Sequence, residues 1–63
     1  MITKEQYANL SYLSIVEYGH FKNVLFHREI HINGIPHIVL KDVEGNEKEI
    51  YLDLFLKYGS IVD

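Results

Sequence analysis

The feature that most constrains the fold is the dipeptide Asn33-Gly34, which separates two runs of β-branched and aromatic residues, 24–32 and 35–40. Both residue types tolerate a positive φ, and the type I′ turn that they form has the twist that antiparallel strands need. A two-residue turn also sets the register, and the register decides which side chains share a face. The dipeptide therefore predicts a β-hairpin, with its first strand near Val24–Ile32 and its second near Ile35–Val43.

The N-terminal region carries the signals of a helix start. Thr3 is a suitable N-cap, and Gln6 three residues later completes a capping box. Apolar residues continue to Tyr18, and Gly19 is the residue type that most often follows a helix end. The pattern predicts a helix from about Lys4 to Tyr18. Its apolar residues form two stripes, whereas a surface helix needs only one, which favours contacts on two sides of the helix.

A third strand is predicted to begin near Glu47, after a turn at 44–46. A three-residue loop places opposite charges across the two strands, whereas a two-residue loop would place like charges there, and so the longer loop is favoured. The following segment, 50–58, fits either a continued strand or a short helix with Asp53 near its start and Lys57 near its end.

The predicted fold class is therefore α+β, in a single domain covering residues 1–63. An N-terminal helix packs on a three-stranded antiparallel β-meander, and a short C-terminal helix or extension follows. The helix is expected to cover the sheet face that carries Leu25, Pro36, Ile38, Leu40, Ile50, Leu52 and Leu54. The other face carries Phe26, Ile30, Val39 and Tyr51 and is too apolar to face water comfortably. A second copy of the chain is the favoured cover, since most oligomers are symmetric homo-oligomers.

Composition excludes several classes of function. The chain has 63 residues and no cysteine, so no disulfide can support so small a core. The net charge is −3, and the six lysines and arginines are scattered, so the basic stripe that nucleic-acid binding requires is missing. No stretch approaches the roughly 20 apolar residues of a membrane span, and no signal peptide is visible. A cytoplasmic protein without a membrane or nucleic-acid partner is expected.

No metal, cofactor or catalytic site is predicted. His27 and His31 lie on one face, but four residues along a strand separate them by roughly 13 Å, too far to share one zinc ion. In the predicted register His37 lies opposite Asp53 and diagonal to Arg28. A carboxylate beside a histidine is typical of a general base, but no serine, threonine or cysteine lies near enough to be its nucleophile.

The sequence therefore favours a small non-enzymatic interaction module that binds another protein and blocks or modulates it, as a homodimer. Its size and composition are typical of the inhibitors that phages and mobile elements direct against host enzymes or defence proteins. The alternative is a dimeric binding domain for a small anionic ligand such as a nucleotide. Tyrosine, phenylalanine and arginine are enriched at interface centres. The predicted interaction residues are Arg28, His37, Asp53, Phe26, Ile30, Tyr51 and Tyr12.

Overall fold

The computed structural model describes residues 1–11 and 14–62, which form one five-stranded antiparallel sheet and two short helices. The strand order across the sheet is β4-β3-β2-β1-β5. The fold is mostly β, and the predicted helix on a three-stranded meander is wrong. In chain order the elements are α1 (Lys4–Ala8), β1 (Ile15–Tyr18), β2 (Phe21–Ile32), β3 (Ile35–Lys41), β4 (Glu47–Tyr51), α2 (Leu52–Tyr58) and β5 (Gly59–Ile61).

The N-terminal helix is much shorter than its pattern predicts. The capping box at Thr3 and Gln6 is confirmed, but α1 ends at Ala8. The residues predicted to form the last turn of the helix instead form β1, which pairs with both β2 and β5. The β-branched pair Ile15-Val16 suits a strand better than a helix. Val16 is fully buried while Ile15 is 43% exposed, which is the alternation of a strand.

The central hairpin is confirmed. Asn33 and Gly34 have φ values of 52° and 80°, positive at both positions as a type I′ turn requires. Ile32 lies opposite Ile35, so the loop between β2 and β3 has the predicted two residues. Gly19 also has a positive φ, 58°, but it forms the tight turn between β1 and β2 rather than the end of a helix.

The loop between β3 and β4 is two residues longer than predicted. Lys41 lies opposite Glu47, so residues 42–46 form the loop. The Asp42 carboxylate explains the difference, because its Oδ1 accepts hydrogen bonds from the backbone N–H groups of Glu44 and Asn46, both at 2.9 Å. As a result His37 lies opposite Tyr51, and the predicted pairing of His37 with Asp53 is wrong. A shift by two residues nevertheless leaves every β4 side chain on its predicted face.

A bulge in β2 shifts the alternation of side chains by one residue, so that the residues before the bulge occupy the sheet faces opposite to those predicted. Arg28 lies opposite Val39, but Phe26 lies opposite Leu40, so one residue of β2 between Phe26 and Arg28 has no partner on β3. An extra residue bends the strand and reverses the alternation of side chains beyond it. Phe26 therefore points into the core and Leu25 points away from it, the opposite of the predicted arrangement.

The core lies on one face of the sheet and is covered by both helices. Tyr7 of α1 packs edge-on against Phe26, with ring centroids 5.9 Å apart, and Phe55 of α2 is fully buried. Of the predicted core residues, the three at positions 38, 40 and 50 are confirmed, while Leu54 is 40% exposed. The core consists of Ile2, Val16, Val24, Phe26, Ile38, Leu40, Ile50 and Phe55.

The sheet curls around this core. α2 connects β4 at one edge directly to β5 at the other. A helix of seven residues spans roughly 10 Å, whereas the edges of a flat sheet of five strands would lie roughly 19 Å apart. The two edges must therefore approach each other, with α2 across the concave side. Within the described residues, no helix is both long and apolar enough to cross a membrane.

Candidate functional site

The convex face of the sheet, opposite the core, carries the candidate site. Of the helix side chains, Tyr7, Leu52, Phe55 and Leu56 lie in the core or pack against it, whereas Leu54 is 40% exposed. Four large apolar side chains on it are more than a third exposed: Ile15 at 43%, Ile32 at 39%, Ile35 at 49% and Tyr51 at 52%. We call the following set the open face: Arg28, Ile30 and Ile32 of β2, Ile35, His37 and Val39 of β3, and Glu49 and Tyr51 of β4.

Two cross-strand rows organise the open face. Arg28, Val39 and Glu49 lie side by side on β2, β3 and β4 and form the first row. Its two charges have opposite signs and flank a valine that is only 1% exposed, although this valine is not part of the helix-covered core. Two strand spacings separate the charged residues by roughly 10 Å. The row therefore has an apolar centre with a positive side and a negative side.

The two charged side chains of this row are unpaired within the part of the chain that the structure describes. Among the described residues, neither Arg28 nor Glu49 makes a side-chain hydrogen bond or an ion pair. Elsewhere in the sheet, Lys22 reaches Glu17 at 3.3 Å, so the chain does pair its charges where the geometry allows. Arg28 keeps its planar set of donors available for a bidentate contact with a carboxylate or phosphate.

The second row is Ile30, His37 and Tyr51. The His37 and Tyr51 rings lie 4.6 Å apart between centroids at an interplanar angle of 37°. His37 Nδ1 lies 2.8 Å from the carbonyl oxygen of Ile35, so Nδ1 carries the proton that it donates there. This bond fixes the ring and leaves Nε2 as the nitrogen that an incoming group can reach.

An open groove of about 440 Å³ runs along β4 beside these rows. Four open-face residues contribute to its wall: Ile32, His37, Glu49 and Tyr51. The groove is lined by apolar and aromatic groups with a few polar ones, which is the usual composition of a recognition surface.

The structure brings together four of the predicted interaction residues and separates two. Arg28, Ile30, His37 and Tyr51 share the open face. Phe26 is only 8% exposed and lies in the core, because the bulge in β2 turns it inward. Asp53 lies in the first turn of α2, because the chain leaves β4 after position 51. Tyr12 lies outside the described residues, and so does the side chain of His27.

Sequence reasoning missed Glu49, and it also missed a polar cluster at the edge of the core. The Tyr7 hydroxyl donates to Glu29 Oε1 at 2.6 Å, and His31 Nε2 lies 2.8 Å from Glu29 Oε2. Hydrogen bonds from Tyr7 and His31 lower the pKa of Glu29, while burial and the Glu29 carboxylate raise the pKa of Tyr7. Through these hydrogen bonds the cluster fastens α1 to β2.

Removing the Tyr7 hydroxyl should weaken that attachment. We expect Tyr7→Phe to lower the free energy of unfolding by about 1 kcal/mol, the usual contribution of one hydrogen bond, since the pair is partly exposed to water. Because the folded-state pKa of Glu29 is depressed, its contribution is complete above the ordinary value of 4.5 and is lost as the pH falls through the folded-state pKa. Urea denaturation at a series of pH values should therefore show that the free energies of unfolding of Tyr7→Phe and the parent approach each other in acid.

Tyr58→Phe is the matched control for this experiment, because Tyr58 is 62% exposed and the same hydroxyl is removed from a surface position. We expect it to match the parent at every pH. Equal stabilities for Tyr7→Phe and the parent near pH 7 would contradict the fastening role.

The chain matches no family model, and no curated protein or solved structure resembles it significantly.

Proposed function

We propose that this protein is a small non-enzymatic interaction module of the cytoplasm, and that the open face is its protein-binding surface. It binds another protein and blocks or modulates it, in the manner of an inhibitor carried by a phage or mobile element. The observation that carries the proposal is the group of exposed apolar side chains on the convex face, Ile32, Ile35 and Tyr51. They adjoin Arg28 and Glu49, whose charges have no partner among the described residues.

The composition of the open face supports recognition of a protein. Tyrosine and arginine are the residues that most often dominate binding energy at the centre of an interface. Tyr51 is half exposed, and its ring lies against that of His37 at a tilt of 37°, a contact that restricts its side chain before a partner arrives. Ordering a side chain in advance reduces the entropy that binding costs. Ile32 and Ile35 extend the apolar surface toward the Asn33-Gly34 turn.

Capture of a partner protein tests the proposal. The tagged chain is incubated with lysate of the cells that produce it, and bound proteins are compared between the parent, Arg28→Ala and Tyr51→Ala. We expect a protein retained by the parent and lost from both variants, because both substitutions remove anchors of the open face. Lys57→Ala is the control, since Lys57 is an exposed residue of α2 and α2 packs on the other side of the sheet.

Two outcomes would contradict the proposal that the open face binds a protein. Equal capture by the parent and both open-face variants would place binding elsewhere on the molecule. A nucleotide that raises the melting temperature of the parent but not of Arg28→Ala would favour the alternative, an anion-binding domain, because a ligand stabilises the folded state that binds it. Glu49 argues against that alternative, since it places a second, negative charge in the same row as Arg28.

A further inference from the structure

We propose that the partner protein contributes an extended segment that pairs, antiparallel, with the outer edge of β4, and that every second residue of this segment is basic. The added strand continues the sheet beyond β4, next to the Glu49 and Tyr51 side chains of the open face. The inference rests on the proposed function, because it names the part of the partner protein that reaches the open face.

The outer edge of β4 presents backbone groups to an added strand. β4 is the last strand of the sheet, and β3 is the only described strand that pairs with it. The Asp42 N–H donates to the Asn46 carbonyl oxygen at 3.0 Å, so these two residues form a hydrogen-bonded pair at the start of the hairpin. Such pairs alternate with non-hydrogen-bonded pairs along an antiparallel ladder. Lys48 and Ile50 therefore bond to β3, whereas Glu49 directs its N–H and C=O away from it.

The groove of about 440 Å³ follows this edge. Four consecutive residues of β4, 48–51, contribute to its wall. Successive side chains of a strand point to opposite faces, so a space that touches all four residues lies along the edge of the strand. An extended segment seated in the groove places its own side chains alternately on the convex and concave sides of the sheet. Binding by addition of a strand uses both the edge and such alternating contacts.

The wall across the groove from β4 is apolar. It is formed by Tyr18 of β1, Phe21 of β2 and Leu54 of α2. Tyr18 packs against the core, which places this wall on the concave side of the sheet. Phe21 and Leu54 are 36% and 40% exposed, so an added apolar side chain can bury part of their surface. The residues of the segment that point to the concave side are therefore apolar.

The convex side of the edge is negative. The exposed Glu49 side chain makes no hydrogen bond or ion pair with any described residue. Glu47 lies on the same side, 3.9 Å from the Lys41 ammonium. Lys48 points to the concave side, where its ammonium lies 5.8 Å from the Phe21 ring centroid. A basic side chain opposite Glu49 therefore makes a favourable cross-strand pair.

The same charges disfavour a second copy as the added strand. In an antiparallel pairing of two β4 strands, centring on Glu49 places two glutamates opposite each other, and centring on Lys48 places two lysines there. Like charges directly opposite each other are destabilising. A foreign segment with alternating basic and apolar residues avoids both arrangements.

Titration calorimetry with designed peptides tests the added strand. The probe is a hexapeptide that alternates lysine and valine, and its control alternates glutamate and valine. We expect the parent to bind the lysine peptide at least about tenfold more tightly than the glutamate peptide. Glu49→Lys should reverse this order, because it reverses the charge beside the added strand. Arg28→Ala is the control variant, since Arg28 lies two strands away on β2, and it should bind the lysine peptide as the parent does.

Methylation of the peptide's backbone nitrogens tests the hydrogen bonds to β4. In the antiparallel register, the lysine opposite Glu49 exchanges both of its backbone bonds with it, whereas the valine N–H groups face away. Methylating the lysine nitrogens should therefore weaken binding at least about tenfold, and methylating the valine nitrogens should leave it unchanged. Hydrogen exchange at the Glu49 amide should also slow when the unmethylated lysine peptide is bound.

Four results would overturn the proposal. Strand addition is wrong if the lysine peptide does not bind at its highest soluble concentration, or if methylation of its lysine nitrogens has no effect. The basic character of the segment is wrong if the two unmethylated peptides bind equally. A parent that forms a dimer, with slow exchange at the Glu49 amide before any peptide is added, would make a second copy the occupant.

The peptide test can fail separately from the proposed function. If no peptide binds but a protein is captured by the parent and lost from Arg28→Ala, the open face binds protein in another way and only the added strand is wrong. If the lysine peptide binds as expected but no captured protein depends on Arg28 or Tyr51, the added strand is supported and the open face is not the binding surface.

Discussion

Phe55→Ala should unfold a large fraction of the protein at room temperature. Phe55 of α2 is fully buried, and its ring lies 6.5 Å from that of Tyr7 in α1 and 6.4 Å from that of Tyr18 in β1. It therefore joins both helices to the sheet. Truncating a buried phenylalanine costs about 3–5 kcal/mol, and a domain of 63 residues has little more than roughly 5 kcal/mol of total stability.

Phe21→Ala is the matched control, because it makes the same chemical change at an exposed position. Phe21 is 36% exposed at the start of β2, where the Lys48 ammonium lies 5.8 Å from its ring centroid. Loss of the contact with Lys48 and of the partial burial of the ring should lower the free energy of unfolding by about 1 kcal/mol. Chemical denaturation followed by tyrosine fluorescence compares the two variants. Equal losses of stability would show that Phe55 is not the residue that joins the helices to the sheet.

The local signals in the sequence predicted the parts of the fold that depend on few residues. The hairpin at Asn33-Gly34 and the capping box at Thr3 are confirmed, since each is set by residues within four positions of one another. The predicted helix over 4–18 failed because its apolar pattern spans two different elements. Tyr7 of the first stripe and Ala8 of the second lie in α1, whereas Ile15 and Val16 of the second lie in β1, where Val16 faces the core. Tyr12 and Leu13 lie outside the described residues. A glycine at the end of the pattern, Gly19, suits a hairpin turn as well as a helix end.

The sequence predicted the sheet face of a side chain correctly where the alternation of side chains was preserved. Arg28, His37 and Tyr51 lie on the turn side of the β2 bulge, and a loop error of two residues keeps side chains on the same face. Phe26 lies beyond the bulge, so its face was reversed. Neither the bulge nor the binding of Asp42 to the loop backbone has a local signature as strong as Asn-Gly. Both depend on how the strands pair, so the sequence pattern alone could not place Asp53 or identify Glu49 as the opposite charge of Arg28.

Gly59→Ala should cost about 1–3 kcal/mol, the usual penalty for an added methyl group in a packed position. Gly59 stands where α2 ends and β5 begins. A Cβ there would lie 2.6 Å from the Phe55 carbonyl oxygen and 2.9 Å from Cδ1 of its ring. The same oxygen accepts the Gly59 N–H that caps α2, so it cannot move away without loss of that bond. The φ of Gly59 is −84°, which any residue adopts. The expected loss of stability therefore comes from the steric clash of the added methyl group and not from backbone strain.

Ser60→Ala is the matched control for Gly59→Ala, because Ser60 is the adjacent exposed residue of β5 and its change adds no atoms. Urea denaturation should show a lower midpoint for Gly59→Ala and a change within about 0.5 kcal/mol for Ser60→Ala. The lost stability should also appear as faster amide exchange in β5, since the clash pushes α2 away from the strand that it joins. Unchanged stability in Gly59→Ala would mean that α2 does not pack this tightly against β5. The described close connection between the two edges of the curled sheet would then be contradicted.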